Sequence, residues 1–452
     1  MRIHFISIGG VAMHNLAIAL QKNGHEVTGS DDGIFEPSYS SLKQYGLLPT
    51  AIGWFTENIH KKLDVVIVGM HAKPDNPELI EAQRKQIRIY SYPEFLYEHS
   101  KNKIRVVIAG SHGKTTITAM IVHVLKHSCI DADYMVGGQL QGFEVMVKLT
   151  NSASCIIIEG DEYPTSAFDT ASKFLHYHPH IAVISGIAWD HVDVFPTFEN
   201  YLEQFRLFIE TIESGGCLIY YQGDKVINQL VENFKSRKIA YSQHPYKIEE
   251  GITKIDQDAG KSHSLNIFGL HNMANLSASK LVCKELGITD DVFFQSISSF
   301  KGVSRRLELI ATLGKSFIYR DFAHAPSKVK ATVNALRMQY PDHLLIICLE
   351  LHCYSSMSEN FIDQFNTTLN QADEAIVFYD PKAAVYKNIP VMTYDRIKQG
   401  FSRNDLQLYS DNEEMLKYVN TLTKNRFVLA FLTSGRFGVL DFQKFVQNIQ
   451  SN

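Results

Sequence analysis

Short apolar runs alternate along the chain with longer segments in which apolar residues recur every three or four positions. In the first hundred residues this pattern predicts strands at 2–8, 25–30 and 63–69 and helices at 11–23 and 77–86. Strands that alternate with helices are typical of a doubly wound, mostly parallel sheet. The chain therefore opens with a Rossmann-like domain.

The same alternation restarts twice, after a polar break at 100–103 and again after residue 302. Further strands are predicted at 104–110, 155–160, 180–187, 316–322, 343–351, 374–380 and 426–434. Further helices are predicted at 115–127, 198–212 and 271–287. A polar stretch at 250–265 predicts no core element. Because one core rarely grows beyond ~250–300 residues, we expect three α/β domains in a chain of 452 residues.

The most informative local pattern is VVIAGSHGKTTIT at 106–118, a buried strand that leads through a glycine loop into a helix. The loop residues are Gly110, Ser111, His112, Gly113, Lys114, Thr115 and Thr116. Glycines let backbone amides surround phosphate oxygens, the lysine reaches the β- and γ-phosphates, and the threonine hydroxyl binds magnesium. The strict P-loop pattern would place glycine at Ile108, so this is a variant loop. A glycine turn that only caps a helix is the alternative.

Polar groups follow two neighbouring apolar runs. Glu159 ends one of them, and His191 follows the other. The carboxyl ends of parallel strands meet at one edge of a sheet, beside the phosphate loop. A buried charge there is costly unless it binds a cation, which makes these residues candidate magnesium ligands. A solvated strand end and an ordinary loop histidine are the alternatives.

The N-terminal turn ISIGGVAMH indicates a weaker nucleotide site. A dinucleotide fingerprint GxGxxG would require glycine at Ser7 and Ala12. Gly9, Gly10 and the acid Asp31 after the second strand still suit a bound nucleotide diphosphate. A tight structural turn is the alternative.

Composition narrows the range of partners. The formal net charge is −4, with 45% hydrophobic and 20% charged residues, which disfavours nucleic acid or an anionic membrane as the main partner. No apolar run approaches the ~20 residues of a membrane helix, and the six cysteines form no CxxC pair. We therefore expect a cytoplasmic protein. The oligomeric state is left open.

Six segments in this order resemble the Mur ligase family of ATP-dependent, amide-forming enzymes of peptidoglycan metabolism. They are GSHGKTT (110–116), EGDEYP (159–164), WDHVD (189–193), GLHNMAN (269–275), GVSRRLE (302–308) and DFAHAPS (321–327). The resemblance covers nearly the whole chain. It implies a UDP-sugar-binding domain at 1–101, a central P-loop ATPase domain at 102–302 and a Rossmann-like C-terminal ligase domain at 303–452.

The resemblance also implies roles for individual residues. The loop 110–116 with Lys114 holds the triphosphate of ATP, Thr115 and Glu159 bind one Mg²⁺, and His191 binds the second. The remaining implied roles are adenine contact for His271, Asn272 and Asn275, γ-phosphate contact for Arg306, ribose contact for Asp321, a place in the reaction cleft for His324, and UDP-sugar binding for Gly9, Gly10, Val11 and Asp31. Catalytic roles fall to Lys114, His191, Arg306 and His324.

The implied activity is the attachment of the tripeptide L-alanyl-γ-D-glutamyl-meso-diaminopimelate to UDP-N-acetylmuramate through an acyl-phosphate, in murein recycling. Addition of single L-alanine to the same acceptor is the alternative. A folate polyglutamate ligase is disfavoured by the extra N-terminal domain. A non-catalytic nucleotide-binding regulator is disfavoured by the intact set of Lys114, Thr115, Glu159 and His191.

Overall fold

The computed structural model describes residues 1–138, 143, 145–166, 169–189, 194–257, 261–424, 426–435, 437 and 440–450. The chain packs as two compact units. The first combines residues 1–187, 194–242 and 277–296, and the second combines 243–276 with the chain from 297 onward. No helix within the described ranges is long and apolar enough to cross a membrane.

The first unit begins with a four-stranded parallel sheet. Its strands are β1 (Arg2–Ile6), β2 (Glu26–Ser30), β3 (Val65–Val68) and β4 (Arg88–Ser91), in the order β2-β1-β3-β4. Its helices are α1 (Val11–Lys22), α2 (Ser38–Gln44), α3 (Pro77–Arg84) and α4 (Tyr92–Ser100). The predicted strand–helix alternation is confirmed, and α2, β4 and α4 are additions that the hydrophobic pattern did not predict.

The first unit also contains a seven-stranded sheet. Its elements are β5 (Ile104–Ala109), α5 (Lys114–His127), β6 (Ala132–Met135), β7 (Val147–Lys148), β8 (Cys155–Glu159), β9 (Ile181–Ile184), α6 (Phe198–Glu210), β10 (Cys217–Tyr221), α7 (Lys225–Leu230) and β11 (Arg237–Tyr241). The strand order is β11-β10-β9-β5-β8-β6-β7, and only β7 runs antiparallel to its neighbour. Since β5 lies between β8 and β9, the loops that follow these three strands meet at one edge.

The polar stretch at 250–265 contains structure that the sequence did not predict. It belongs to an antiparallel sheet of β12 (Lys247–Glu249), β13 (Ile252–Gln257) and β14 (Lys261–Leu265). Thr253 and Ile255 of its central strand are buried while the flanking strands are mostly exposed, so few apolar residues mark it. Helices α8 (Leu270–Glu285) and α9 (Asp290–Ile297) follow.

The second unit is built on a six-stranded sheet. Its elements are β15 (Glu308–Leu313), β16 (Ser316–Asp321), α10 (Pro326–Gln339), β17 (Leu344–Leu351), β18 (Glu374–Tyr379), α11 (Pro381–Tyr386), α12 (Tyr394–Phe401), β19 (Gln407–Tyr409), α13 (Asn412–Leu422), β20 (Phe427–Leu432) and α14 (Phe442–Gln450). The order is β15-β16-β20-β17-β18-β19, with β15 antiparallel to β16.

Short 3-10 helices lie at Thr56–Asn58 and Lys173–His176 in the first unit and at Ile362–Phe365 in the second. The predicted α/β class with mostly parallel sheets is confirmed.

Candidate active site

The phosphate-type loop lies between β5 and α5, as predicted. Gly110 has φ +123° and Gly113 has φ +76°, conformations that favour glycine. A Cβ atom on Gly110 would lie 2.6 Å from Oγ of Ser185. The Ser111 amide donates to the carbonyl of Gly186 at 2.8 Å. The loop is therefore held against the end of β9 in a shape that only glycine at position 110 permits.

Lys114, the first residue of α5, has two partners at the loop. Its Nζ donates to the carbonyl of Gly110 and to Oε2 of Glu162, each at 2.7 Å. Burial lowers the pKa of Lys114, but the opposing charges of Glu162, Asp161 and Glu159 outweigh burial and raise that pKa overall. The lysine is thus a charged group directed at the loop, as phosphate binding requires.

Thr115 and Glu159 lie together, as the resemblance implied. The Thr115 hydroxyl donates to Oε1 of Glu159 at 2.8 Å, and the amide of Gly137 donates to Oε2 at 2.7 Å. The pairing of Ile108 with Glu159 across β5 and β8 brings the acid to the start of the loop.

This pair fits a magnesium ion. Within the described ranges no cluster of three or more histidine, cysteine or acidic side chains could hold a metal. Mg²⁺ commonly takes only one or two protein ligands and completes its shell with water and substrate phosphates, so a hydroxyl and a carboxylate suffice. His191, the candidate second ligand, lies outside the described residues.

The other loop residues support its backbone. The carbonyl of His112 accepts a hydrogen bond from the Ser185 hydroxyl, and Thr116 is buried in the first turn of α5. The Ser111 hydroxyl bonds with the phenol of Tyr201 at 2.8 Å. All seven predicted loop residues thus lie in one strand–loop–helix unit.

The N-terminal glycine turn is organised by Asp31. Its Oδ2 accepts from the amide of Gly9 at 2.7 Å and its Oδ1 from the amide of Gly33 at 3.2 Å. Burial raises the pKa of Asp31, and these amide bonds oppose that effect. Gly10 precedes the first turn of α1 without a capping side chain, and Val11 is exposed. Asp31 shapes the turn, and its contact with a UDP-sugar stays a prediction.

In the second unit the candidate adenine residues lie at the start of α8. Nδ2 of Asn272 donates to the carbonyl of Phe268 at 2.9 Å, and Nδ2 of Asn275 donates to Oδ1 of Asn272 at 3.3 Å. Burial lowers the pKa of His271, while the charge of Asp321 opposes this. Asn272 and Asn275 are therefore buried polar side chains at the start of this helix, next to the half-buried His271.

Arg306 lies in a constrained segment of the second unit. Its neighbours Arg305 and Leu307 have φ values of +59° and +46°, uncommon for non-glycine residues. The Arg306 guanidinium carbon lies 5.0 Å from the centre of the Phe322 ring, a cation–π distance. This packing orients a fixed positive charge.

Asp321 and His324 follow β16 in the same unit. Oδ2 of Asp321 accepts from the Thr332 hydroxyl at 2.6 Å. The His324 Nδ1 lies 2.7 Å from the carbonyl of Phe322, so that nitrogen carries the proton. In a neutral ring with its proton on Nδ1, Nε2 is the nitrogen with an acceptor lone pair.

Glu162 and Tyr201 belong to the site in the first unit but were not predicted as functional residues. Glu162 is three positions after Glu159 in EGDE, which is the one sequence signal that marks it. Tyr201 lies on the buried side of α6, where its position is that of an ordinary core residue. Only the folded chain brings its hydroxyl to the loop.

Comparison with known proteins agrees with this geometry. Three family models match successive stretches: the Mur ligase family, catalytic domain at 2–104, the Mur ligase middle domain at 108–283 and the Mur ligase, glutamate ligase domain at 305–431. A UDP-N-acetylmuramate–L-alanine ligase of Aquifex aeolicus is 31% identical over 447 residues, 96% of this chain and 95% of that protein. The chain belongs to the Mur ligase family. It is an ATP-dependent ligase that forms C–N bonds and uses Mg²⁺.

Solved structures are similar over most of the chain. The UDP-N-acetylmuramate–alanine ligase of Thermotoga maritima has a TM-score of 0.71 at 20% identity, and covers 100% of this chain and 99% of that one. The UDP-N-acetylmuramate:L-alanyl-γ-D-glutamyl-meso-diaminopimelate ligase of Neisseria meningitides has a TM-score of 0.60 at 25% identity, and covers 67% and 99%. The three-domain Mur ligase fold expected from the sequence is thereby confirmed.

Proposed function

We propose that this Mur ligase joins L-alanine to the carboxylate of UDP-N-acetylmuramate in peptidoglycan biosynthesis. The observation that carries the proposal is the 31% identity, over 96% of this chain, to an Aquifex aeolicus protein named for that reaction. A second relative with the same name, from Trichlorobacter lovleyi, is 29% identical over 96% of this chain. L-alanine therefore takes precedence over the tripeptide that the sequence favoured.

The tripeptide ligase is the second candidate. The Neisseria meningitides structure that supports it is 25% identical over 67% of this chain. The segments EGDEYP (159–164) and KFLHYHP (173–179) resemble the same branch of the family. The two candidate reactions use the same acceptor and the same ATP site, and they differ only in the amine substrate.

We assign the acceptor nucleotide to residues 1–101, ATP to 102–302 and the ligase domain to 303–452. Lys114 and the amides of loop 110–116 hold the phosphates, and Thr115 and Glu159 hold one magnesium ion, which withdraws charge from the phosphate oxygens when bound. The remaining assignments are those implied by the sequence: His191 at a second magnesium; His271, Asn272 and Asn275 near adenine; Arg306 at the γ-phosphate; Asp321 at the ribose; and Gly9, Gly10, Val11 and Asp31 at the UDP-sugar.

The reaction proceeds in two steps, formation of an acyl-phosphate and then formation of the amide. A carboxylate oxygen of the acceptor bonds to the γ-phosphorus while the bond to the bridging oxygen of ADP breaks. Lys114 and Arg306 stabilise the charge on the transferring group. The amine nitrogen then adds to the acyl carbon, gives up a proton to a base such as Nε2 of His324, and phosphate leaves with the original carboxylate oxygen.

Oxygen-18 in the acceptor carboxylate tests this course. With ATP, Mg²⁺ and L-alanine, we expect the released phosphate to carry one oxygen-18 atom and the product to be an amide. Labelled phosphate formed only with the tripeptide would establish the second candidate. Nucleotide binding without any phosphate release would instead favour a non-catalytic regulator.

A further inference from the structure

Glu162 forms the closest charged contact of Lys114. Its side chain is 1% exposed, and its Oε2 accepts from Nζ of Lys114 at 2.7 Å. Its Oε1 accepts from the phenol of Tyr201 at 3.2 Å. Both carboxylate oxygens are therefore engaged, and the lysine ammonium lies between this acid and the carbonyl of Gly110.

The same acid is tied to the loop by a second route. The Tyr201 hydroxyl, which donates to Glu162, also bonds with Oγ of Ser111 at 2.8 Å. The Ser172 hydroxyl donates to the backbone carbonyl of Glu162 at 2.6 Å and has the side chain of Gln204 as a second partner. Helix α6 thus fixes both the side chain and the backbone of Glu162 relative to the loop.

Stability alone does not account for this arrangement. A buried ion pair contributes little net stability, because desolvation offsets the attraction between the charges. A carboxylate next to the phosphate loop also repels the triphosphate that the loop must bind. An acid in that place therefore lowers the affinity for the nucleotide. A contribution of the same acid to a later step of the reaction would offset this loss.

We infer that Glu162 is a positioning residue for phosphoryl transfer: its fixed carboxylate holds the Lys114 ammonium in one orientation and prevents it from closing fully on the phosphates of bound ATP. Lys114 then attracts the phosphate oxygens more strongly in the transition state, when negative charge develops on the transferring group, than in bound ATP. Interactions that strengthen only in the transition state raise kcat, whereas uniform binding does not. This inference rests on the proposed ATP-dependent ligation.

The test compares Glu162→Gln with two other variants. Tyr201→Phe keeps the Lys114–Glu162 pair and removes only the hydroxyl link. Glu203→Gln neutralises a partly exposed acid on the same helix α6, which pairs with Arg206 and not with Lys114. Phosphate release gives kcat and KM for ATP, calorimetry gives the affinity for a non-hydrolysable ATP analogue with Mg²⁺, and thermal unfolding reports on the fold.

For Glu162→Gln we expect kcat to fall at least about tenfold, while KM for ATP does not rise. The analogue should bind about threefold tighter or more, because a like charge beside the phosphates is gone. Tyr201→Phe should lose less than about fivefold in kcat, and Glu203→Gln should stay within about twofold of the wild type.

Unchanged kcat and analogue affinity in Glu162→Gln would overturn the inference. So would a parallel loss of kcat, affinity and thermal stability, since that combination indicates a structural ion pair. If the wild type ligates neither amine, the proposed function fails, and the binding measurement still decides: tighter binding by Glu162→Gln supports the inference, and equal or weaker binding contradicts it.

Discussion

The hydroxyl of Thr115 donates a 2.8 Å hydrogen bond to Oε1 of Glu159. The two residues are far apart in sequence, but Thr115 lies in the first turn of α5 and Glu159 ends β8, and these two elements are adjacent in the first unit. A single cation can therefore contact both groups. Thr115 and Glu159 come together because β5, which leads into the loop, is the neighbour of β8 in the seven-stranded sheet.

Glu159→Gln should raise the magnesium concentration needed for half-maximal ligation at least about tenfold, because an amide oxygen is a weaker Mg²⁺ ligand than a carboxylate. The measurement is phosphate release against Mg²⁺ concentration at fixed ATP. Thr115→Val should move the curve in the same direction. An unchanged magnesium curve in both variants would remove these residues from the metal site.

Lys114→Ala should reduce kcat at least about a thousandfold, since the main positive charge at the phosphates is lost. The chain should keep its fold, because the Tyr201 hydroxyl still donates to the Glu162 carboxylate when the lysine is removed. Circular dichroism checks the fold and phosphate release checks activity. A folded variant with wild-type turnover would contradict the assignment of the loop.

Gly110→Ala should abolish nucleotide binding, because the new Cβ would lie 2.6 Å from Oγ of Ser185 in addition to the strain at φ +123°. Gly215→Ala is the matched control. Its φ is +80°, and nothing lies within 4 Å of the added atom, so it should lose only about 1 kcal/mol of stability and keep activity. Equal nucleotide affinity in both variants would exclude a special role for the loop shape.

Stability should decrease in mild acid because of buried histidines such as His14. Burial lowers the pKa of His14 below its ordinary value of 6.5, although its hydrogen bond to Gly10 opposes this. The ring is neutral in the folded chain, whereas the unfolded chain gains a proton as the pH falls through 6.5. The contribution of His14 to the free energy of unfolding is thus complete above pH 6.5. It decreases as the pH falls below 6.5, by at most about 1.4 kcal/mol per pH unit.

Urea unfolding at pH 7.5 and 5.5 measures this effect. His14→Gln should show a smaller loss of unfolding free energy between the two pH values than the wild type does. His60, which is exposed, gives the control variant His60→Gln, which should lose as much as the wild type. The same loss in His14→Gln as in the wild type would show that His14 does not contribute.

The sequence predicted those parts of the fold and site that local pattern determines. The apolar run before Gly110 and the run ending at Glu159 predicted both strands and the edge at which their ends meet. The small sheet at 247–265 was missed because its strands are short and half exposed, so periodicity is weak. The Glu162–Tyr201 contact was missed because it depends on how α6 packs, which a buried aromatic residue in a helix does not reveal.

Phosphate release with two different amines is the most direct test of the proposed ligation of an amine to UDP-N-acetylmuramate. With ATP, Mg²⁺ and the acceptor, we expect L-alanine to stimulate release and L-alanyl-γ-D-glutamyl-meso-diaminopimelate to leave it near background. Stimulation by the tripeptide alone would show that the protein is the tripeptide ligase of murein recycling. If neither amine stimulates phosphate release by folded protein that binds ATP, the proposed ligation is wrong.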